Sequence, residues 1–130
     1  MSKNYPSLGE IYSGTYTPTV VDLGGNVGSV TESEAMYVKI GNTVFVNGTL
    51  TITPNPSTLG ALLDFRMDLP IESDIVAGYS DLAGNITSPT FTQSGSVYGY
   101  SAAPNGARVR YEIASESTAI MIYSYMYKIQ

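Results

Sequence analysis

Any chemistry in this chain must come from carboxylates, tyrosines or hydroxyls, because it holds neither histidine nor cysteine. That removes the commonest general base, the Ser-His-Asp arrangement, thiolate nucleophiles, disulfides and the usual zinc and copper ligands. The best-spaced acids are Asp64 and Asp68, in the alternating run Leu62-Leu63-Asp64-Phe65-Arg66-Met67-Asp68-Leu69. On an extended strand, positions i and i+4 lie roughly 13 Å apart at ~3.3 Å per residue. Glycoside hydrolysis by two carboxylates needs about 5–9.5 Å. Glu112 with Glu116 offers nothing better, so these acids read as a solvated charged face. Asp22-Leu23-Gly24-Gly25-Asn26 is echoed by Asp81-Leu82-Ala83-Gly84-Asn85. Both read as turns, since Asp caps, Gly supplies positive φ and Asn tolerates it, and five positions hold too few oxygens for calcium. No G-x-S-x-G elbow occurs, and neither Gly24-Gly25 nor Gly99 opens a helix that could cradle phosphate. The expectation is a chain that is not an enzyme and carries no cofactor or metal.

Binding chemistry is better represented. There are eleven tyrosines and no tryptophan. Tyr79, Tyr98 and Tyr100 sit among Ser, Gly and Asp, the palette of adaptable recognition surfaces. A sugar ring can lie against them while Asp81 or Asn85 accepts from its hydroxyls. The plainer alternative is that Tyr98 and Tyr100 share one face of a strand. Tyr79, Asp81, Tyr98 and Tyr100 are therefore the candidate ligand contacts, with a host-surface glycan as the ligand class.

The elements that must position them are strands. In Thr43-Val44-Phe45-Val46-Asn47-Gly48-Thr49-Leu50-Thr51-Ile52, Val44, Val46, Leu50 and Ile52 share one face. Phe45 and the polar residues share the other, the period-two pattern of a half-buried strand. Gly41-Asn42 joins this run to Tyr37–Ile40 as a tight hairpin. Short strands are predicted near 13–20, 26–31, 35–40, 43–53, 61–69, 75–80, 90–100, 107–114 and 118–129, with loops at 54–60 and 101–106. No segment shows a helical apolar stripe. The fold class is all-β: an antiparallel β-sandwich, jelly-roll-like, of eight to nine short strands with minimal helix. At 130 residues the chain is one domain, 13–130, behind an extended arm at 1–12 that alternatively reads as a loose leader.

Net charge is −5, with only six basic residues. Nucleic-acid binding needs a positive footprint and is not expected. No apolar run reaches ~18 residues and the N-terminus lacks an apolar h-region, so neither membrane insertion nor signal-directed export is expected.

Two strands carry further information. Val109, Tyr111 and Ile113 alternate with Arg108, Arg110 and Glu112, matching the 62–69 run; if the two are neighbours, their charges meet across the ladder. The last strand is apolar on both sides, with Ala119, Met121, Tyr123, Tyr125, Tyr127 and Ile129 opposite Ile120, Ile122, Ser124, Met126 and Lys128. Such a strand is normally covered twice. A second copy of the chain, packed on Met121, Tyr123, Tyr125 and Tyr127, is one source of the second cover. A long loop over the tyrosines is the other.

The segments Gly14-Thr15-Tyr16-Thr17-Pro18-Thr19, Tyr37-Val38-Lys39-Ile40-Gly41-Asn42-Thr43-Val44-Phe45-Val46-Asn47-Gly48-Thr49 and Asp68-Leu69-Pro70, with the Tyr-rich final strand, resemble modules of bacteriophage tail and head fibres. The resemblance spans 13–130 and implies a β-sandwich virion protein, made in the host cytoplasm, that forms a homotrimer and attaches the particle to the host surface. Only about twelve residues precede the module, which shifts the expectation from a long tail fibre to a head fibre or capsid-decoration protein. Tyr5, Leu8, Ile11 and Tyr12 would then anchor it to a capsid or fibre protein. A free, non-catalytic carbohydrate-binding module is the alternative.

Overall fold

The computed structural model describes residues 11–102 and 105–129. Among them are ten strands: β1 (Ile11–Tyr16), β2 (Val20–Asp22), β3 (Val27–Glu32), β4 (Ala35–Ile40), β5 (Thr43–Pro54), β6 (Leu62–Met67), β7 (Leu82–Thr87), β8 (Ser94–Tyr100), β9 (Gly106–Glu112) and β10 (Ala119–Lys128). One helical turn, α1 (Gly78–Asp81), precedes β7. The expected all-β, antiparallel fold with minimal helix is what the chain forms. Its strands join in one sheet, ordered β1-β4-β5-β10-β7-β8-β9-β6-β2, and the sheet curls into a half-barrel around a single core.

β5 explains the curl's first half. Its twelve residues serve two neighbours along one edge, β4 against Thr43–Asn47 and β3 against Leu50–Pro54, while β10 takes the other edge. The β4–β5 hairpin closes through Gly41-Asn42 with Gly41 at φ 59, as a primed hairpin turn requires. Glycines opposite tyrosines shape the rest. Gly14 pairs with Tyr37, Gly48 with Tyr123, Gly84 with Tyr125 and Gly95 with Tyr111. A Cβ on Gly48 would lie 2.7 Å from the Tyr123 hydroxyl oxygen, and one on Gly84 would run into the Ser124 carbonyl. The missing side chains let rings lie across the sheet and strands bend tightly.

The curled sheet is tied at its seam by the turn after β2. Leu23 N–H and Gly24 N–H donate to the Asp64 carbonyl at 2.9 and 3.2 Å. Asn26 Nδ2 donates to the Leu62 carbonyl at 2.8 Å. Asp22 Oδ1 accepts from Gly25 N–H at 3.0 Å, so the first Asp-Leu-Gly-Gly-Asn copy is the turn expected. The second copy is not. Leu82–Asn85 belong to β7, a strand absent from the sequence reading, and the strand expected at 75–80 is loop and α1. β7 is held between β8 and β10 by pairing on both sides, which overrides its turn-like composition.

The tyrosine face of β10 points inward. Met121 and Tyr123 are fully buried, and Tyr125 and Tyr127 are 3 % and 2 % exposed. This corrects the expected interface: the chain covers that face itself. Tyr16 from β1 and Tyr125 bond hydroxyl to hydroxyl at 2.9 Å. The loop after β6 supplies Ile71, whose N–H donates to the Tyr127 hydroxyl at 3.2 Å and whose carbonyl accepts from it at 2.7 Å. The Tyr123 hydroxyl is buried without a hydrogen-bond partner. Opposite outcomes are expected from one chemical change. Tyr127→Phe strands both Ile71 groups and costs about 1–2 kcal/mol, whereas Tyr123→Phe removes a desolvated hydroxyl and gains up to about 1 kcal/mol. Urea unfolding midpoints of the two variants check this; a shift in the same direction for both would refute it.

Candidate functional site

The outer face of β8, β9 and β6 gathers the polar chemistry of the molecule. Alternation turns Val97, Val109, Phe65 and Met67 inward. It turns Tyr98, Tyr100, Arg108, Arg110, Asp64 and Arg66 outward, with Tyr98 opposite Arg108, Arg108 opposite Arg66 and Arg110 opposite Asp64. All three arginines of the chain therefore stand on one surface of an otherwise acidic protein.

Asp64 organises them. Its carboxylate accepts from Arg108 Nε at 3.0 Å and Nη2 at 2.7 Å, and from Arg110 Nε at 3.2 Å. The Asp64 side chain is only 8 % exposed, against 27 % for Arg108 and 43 % for Arg110. Burial alone would raise the Asp64 pKa, but the hydrogen bonds and charge of Arg108, then of Arg110, outweigh it and hold the carboxyl below its ordinary value. Arg108 is held the more firmly protonated by the same bond to Asp64. The expectation that charges of these two strands meet across the ladder is met, although Asp64 is a buried clamp and not part of a solvated face.

The clamped Arg108 guanidinium lies over two rings, 6.0 Å from the centroid of Tyr98 and 5.7 Å from that of Tyr100; Arg66 lies 6.0 Å from Tyr100. Tyr79 joins from α1, its ring 5.1 Å from Tyr98 and 82 % exposed. Two glycines place it there. A Cβ on Gly99 would sit 2.6 Å from Ile75 Cγ2 and 2.7 Å from the Gly78 carbonyl, so the turn can approach β8 only where both residues lack one. Asp81 closes the turn, accepting from Val76 N–H and Ala77 N–H at 2.8 Å each. Of the four candidate ligand contacts, then, Tyr79, Tyr98 and Tyr100 come together, while Asp81 is committed to backbone.

Two other acids are similarly engaged. Asp68 Oδ1 accepts from Thr19 N–H at 2.6 Å, and Glu116 Oε2 from Thr58 N–H and Leu59 N–H at 2.8 and 2.9 Å. A cleft of about 650 Å³ opens beside Arg66, lined also by Asp68, Glu72, Asp74 and Asn105. Among the described residues no group of three or more acids could hold a metal ion.

A second surface lies on the outer wall of β1, β4, β5 and β10. Met36, Phe45, Ile120, Ile122 and Met126 are 40–59 % exposed there. Pairing connects them: Phe45 lies opposite Met126 and Val38, and Ile40 opposite Ile11. Of the proposed anchor residues, Ile11 stands on this wall, 58 % exposed. Tyr12 pairs with Lys39 in β1, its side chain outside the described set, and Tyr5 and Leu8 lie outside the described residues.

Sequence reasoning missed the arginines as binding groups, since a strand's alternation does not reveal which outward residues its neighbours will supply. Comparison with known protein families, with curated proteins and with solved structures finds no match to this chain. Among the described residues no helix is long and apolar enough to cross a membrane.

Proposed function

We propose that this chain is a structural and adhesion module of a bacteriophage particle, a head-fibre, capsid-decoration or fibre-tip protein that works as an oligomer. The observation that carries the reading is the apolar outer wall of β4, β5 and β10. Its interior side is already filled by core, yet Met36, Phe45, Ile120, Ile122 and Met126 face outward together. Connected apolar surface of this kind marks an interaction site. The solvated face of an antiparallel sheet ordinarily carries polar residues. The fibre-like segments Gly14–Thr19 and Tyr37–Thr49 supply the virion context; they cover the end of β1 with the loop after it and most of the β4–β5 hairpin, strands that build the same wall. Another copy of this chain is the proposed cover, with a trimer as the assembly and the host surface as the target.

Light scattering behind a sizing column tests this. The expected mass is three times 13.9 kDa. Ile122→Lys combined with Met126→Lys, both on the exposed face, should return it to one chain while leaving the fold and its circular dichroism intact. A wild-type monomer would overturn the oligomer and favour the free binding module, for which the tyrosine–arginine surface is the supporting observation.

A further inference from the structure

We infer that the surface formed by Tyr79, Tyr98, Tyr100 and Arg66 is a binding site for a carboxylate-bearing sugar, a uronic or sialic acid residue within a glycan. The site is independent of the apolar wall and would operate in a monomer or an oligomer.

Three features point to a ligand. First, the rings are on the wrong side of the sheet for the core. Tyr79 is 82 % exposed and packs at a tilt against Tyr98, at a place where Gly78 and Gly99 are needed to bring it in. The open Tyr79 ring, backed by the half-buried Tyr98 and Tyr100, offers an apolar platform with hydroxyls at its rim, suited to the C–H face of a pyranose. Second, Arg108 is not the ligand's group but the site's frame. Asp64 takes its Nε and Nη2, and its planar guanidinium then fixes the positions of Tyr98 and Tyr100 beneath it. A site whose rings are locked before binding loses less entropy when it binds.

Third, Arg66 has no such carboxylate. It stands opposite Arg108 in the ladder, its guanidinium over Tyr100, and among the described residues no ion pair engages it. A guanidinium offers five donors in a fork that matches a carboxylate in two parallel hydrogen bonds. The free fork sits at the edge of the tyrosine platform. A sugar ring on the tyrosines can therefore present a carboxylate to Arg66, a pairing that a neutral sugar lacks. Asp68, Glu72 and Asp74 line the cleft that Arg66 also lines, and their charge disfavours an anion within it.

Saturation-transfer NMR on the whole protein tests this, with two matched probe pairs: trigalacturonate against its methyl ester, and sialyllactose against lactose. The expected result is transfer to ring protons of at least one acid, with at least tenfold weaker binding of its neutral counterpart. Inorganic phosphate in equal concentration should not displace it, because phosphate cannot use the rings. Arg66→Gln and Tyr79→Ala, both at exposed or half-buried positions outside the core, should each weaken binding at least tenfold with an unchanged melting temperature. Equal binding of acid and neutral partner, displacement by phosphate alone, or no transfer to either acid would each overturn the proposal. None of these outcomes touches the mass measurement, so the two readings fail separately.

Discussion

Above pH 10 the protein is expected to lose stability steeply and to unfold in one cooperative step. Burial raises the pKa of Tyr16, Tyr111, Tyr123 and Tyr125, with Tyr123 pushed up to about 12 and the other three held well above the ordinary phenol value of 10.0. Desolvation is the leading cause in each case; the charge of neighbouring tyrosines or of Asp68 adds to it for Tyr16, Tyr123 and Tyr125. In this window the unfolded chain releases phenolic protons that the folded chain keeps. The tyrosine contribution is therefore complete below pH 10 and is lost as pH climbs from there towards the folded values. Each such group costs about 1.4 kcal/mol per pH unit. Counting the hydrogen-bonded Tyr16–Tyr125 pair as one leaves three groups, or about 4 kcal/mol lost at pH 11 and about 8 at pH 12. That rivals the whole stability of a domain this size, about 5–15 kcal/mol. Ultraviolet absorbance of tyrosinate, followed together with circular dichroism, checks it in a chain free of tryptophan. Coincident transitions are expected; retention of the fold after all buried tyrosines have ionised would refute the account.

Replacing Asp64 by alanine is the second large effect, expected to cost about 2–3 kcal/mol in urea unfolding. Removing one partner from a fully buried pair costs about 3–5 kcal/mol. The lower figure applies because Arg108 and Arg110 keep 27 % and 43 % exposure and recover some hydration. Asp64→Asn preserves shape but loses the charge, and should fall between. The variants also change the acid limb. Because the folded pKa of Asp64 is lowered, its contribution is present above the ordinary carboxylate value, near 3.8, and disappears as pH falls through the lower folded value. Asp64→Ala should accordingly flatten the stability profile below the ordinary carboxylate value, near 3.8, and leave its slope at neutrality unchanged. An unchanged urea midpoint at neutral pH would mean that hydration fully replaces the clamp.

Much of the architecture was legible in short-range alternation. Val44, Val46, Leu50 and Ile52 bury as their spacing requires, as do Leu63, Phe65 and Met67 on β6, Val109 and Tyr111 on β9 and Ile113 just beyond it. A side-chain period of two states which residues share a face, and the Gly41-Asn42 turn states which strands are neighbours. Where those local signals were absent, reading failed. β7 has the composition of a turn and becomes a strand only because β8 and β10 offer it both edges.

The sequence by itself determined the all-β class, the two faces of each strong strand, and the absence of histidine and cysteine chemistry. It showed that β10 is apolar on both sides. Only the tertiary structure decided which side faces inward, because that depends on Tyr16 and Ile71, 109 and 56 residues away from their partners Tyr125 and Tyr127. The same holds for the candidate site. Tyr79, Tyr98 and Tyr100 were visible as residue types, but the arginines meet them only where β6 and β9 fold against β8. Alternation is a property of one strand, whereas a binding surface is a property of strand order, and order is set by long-range pairing that no local pattern encodes.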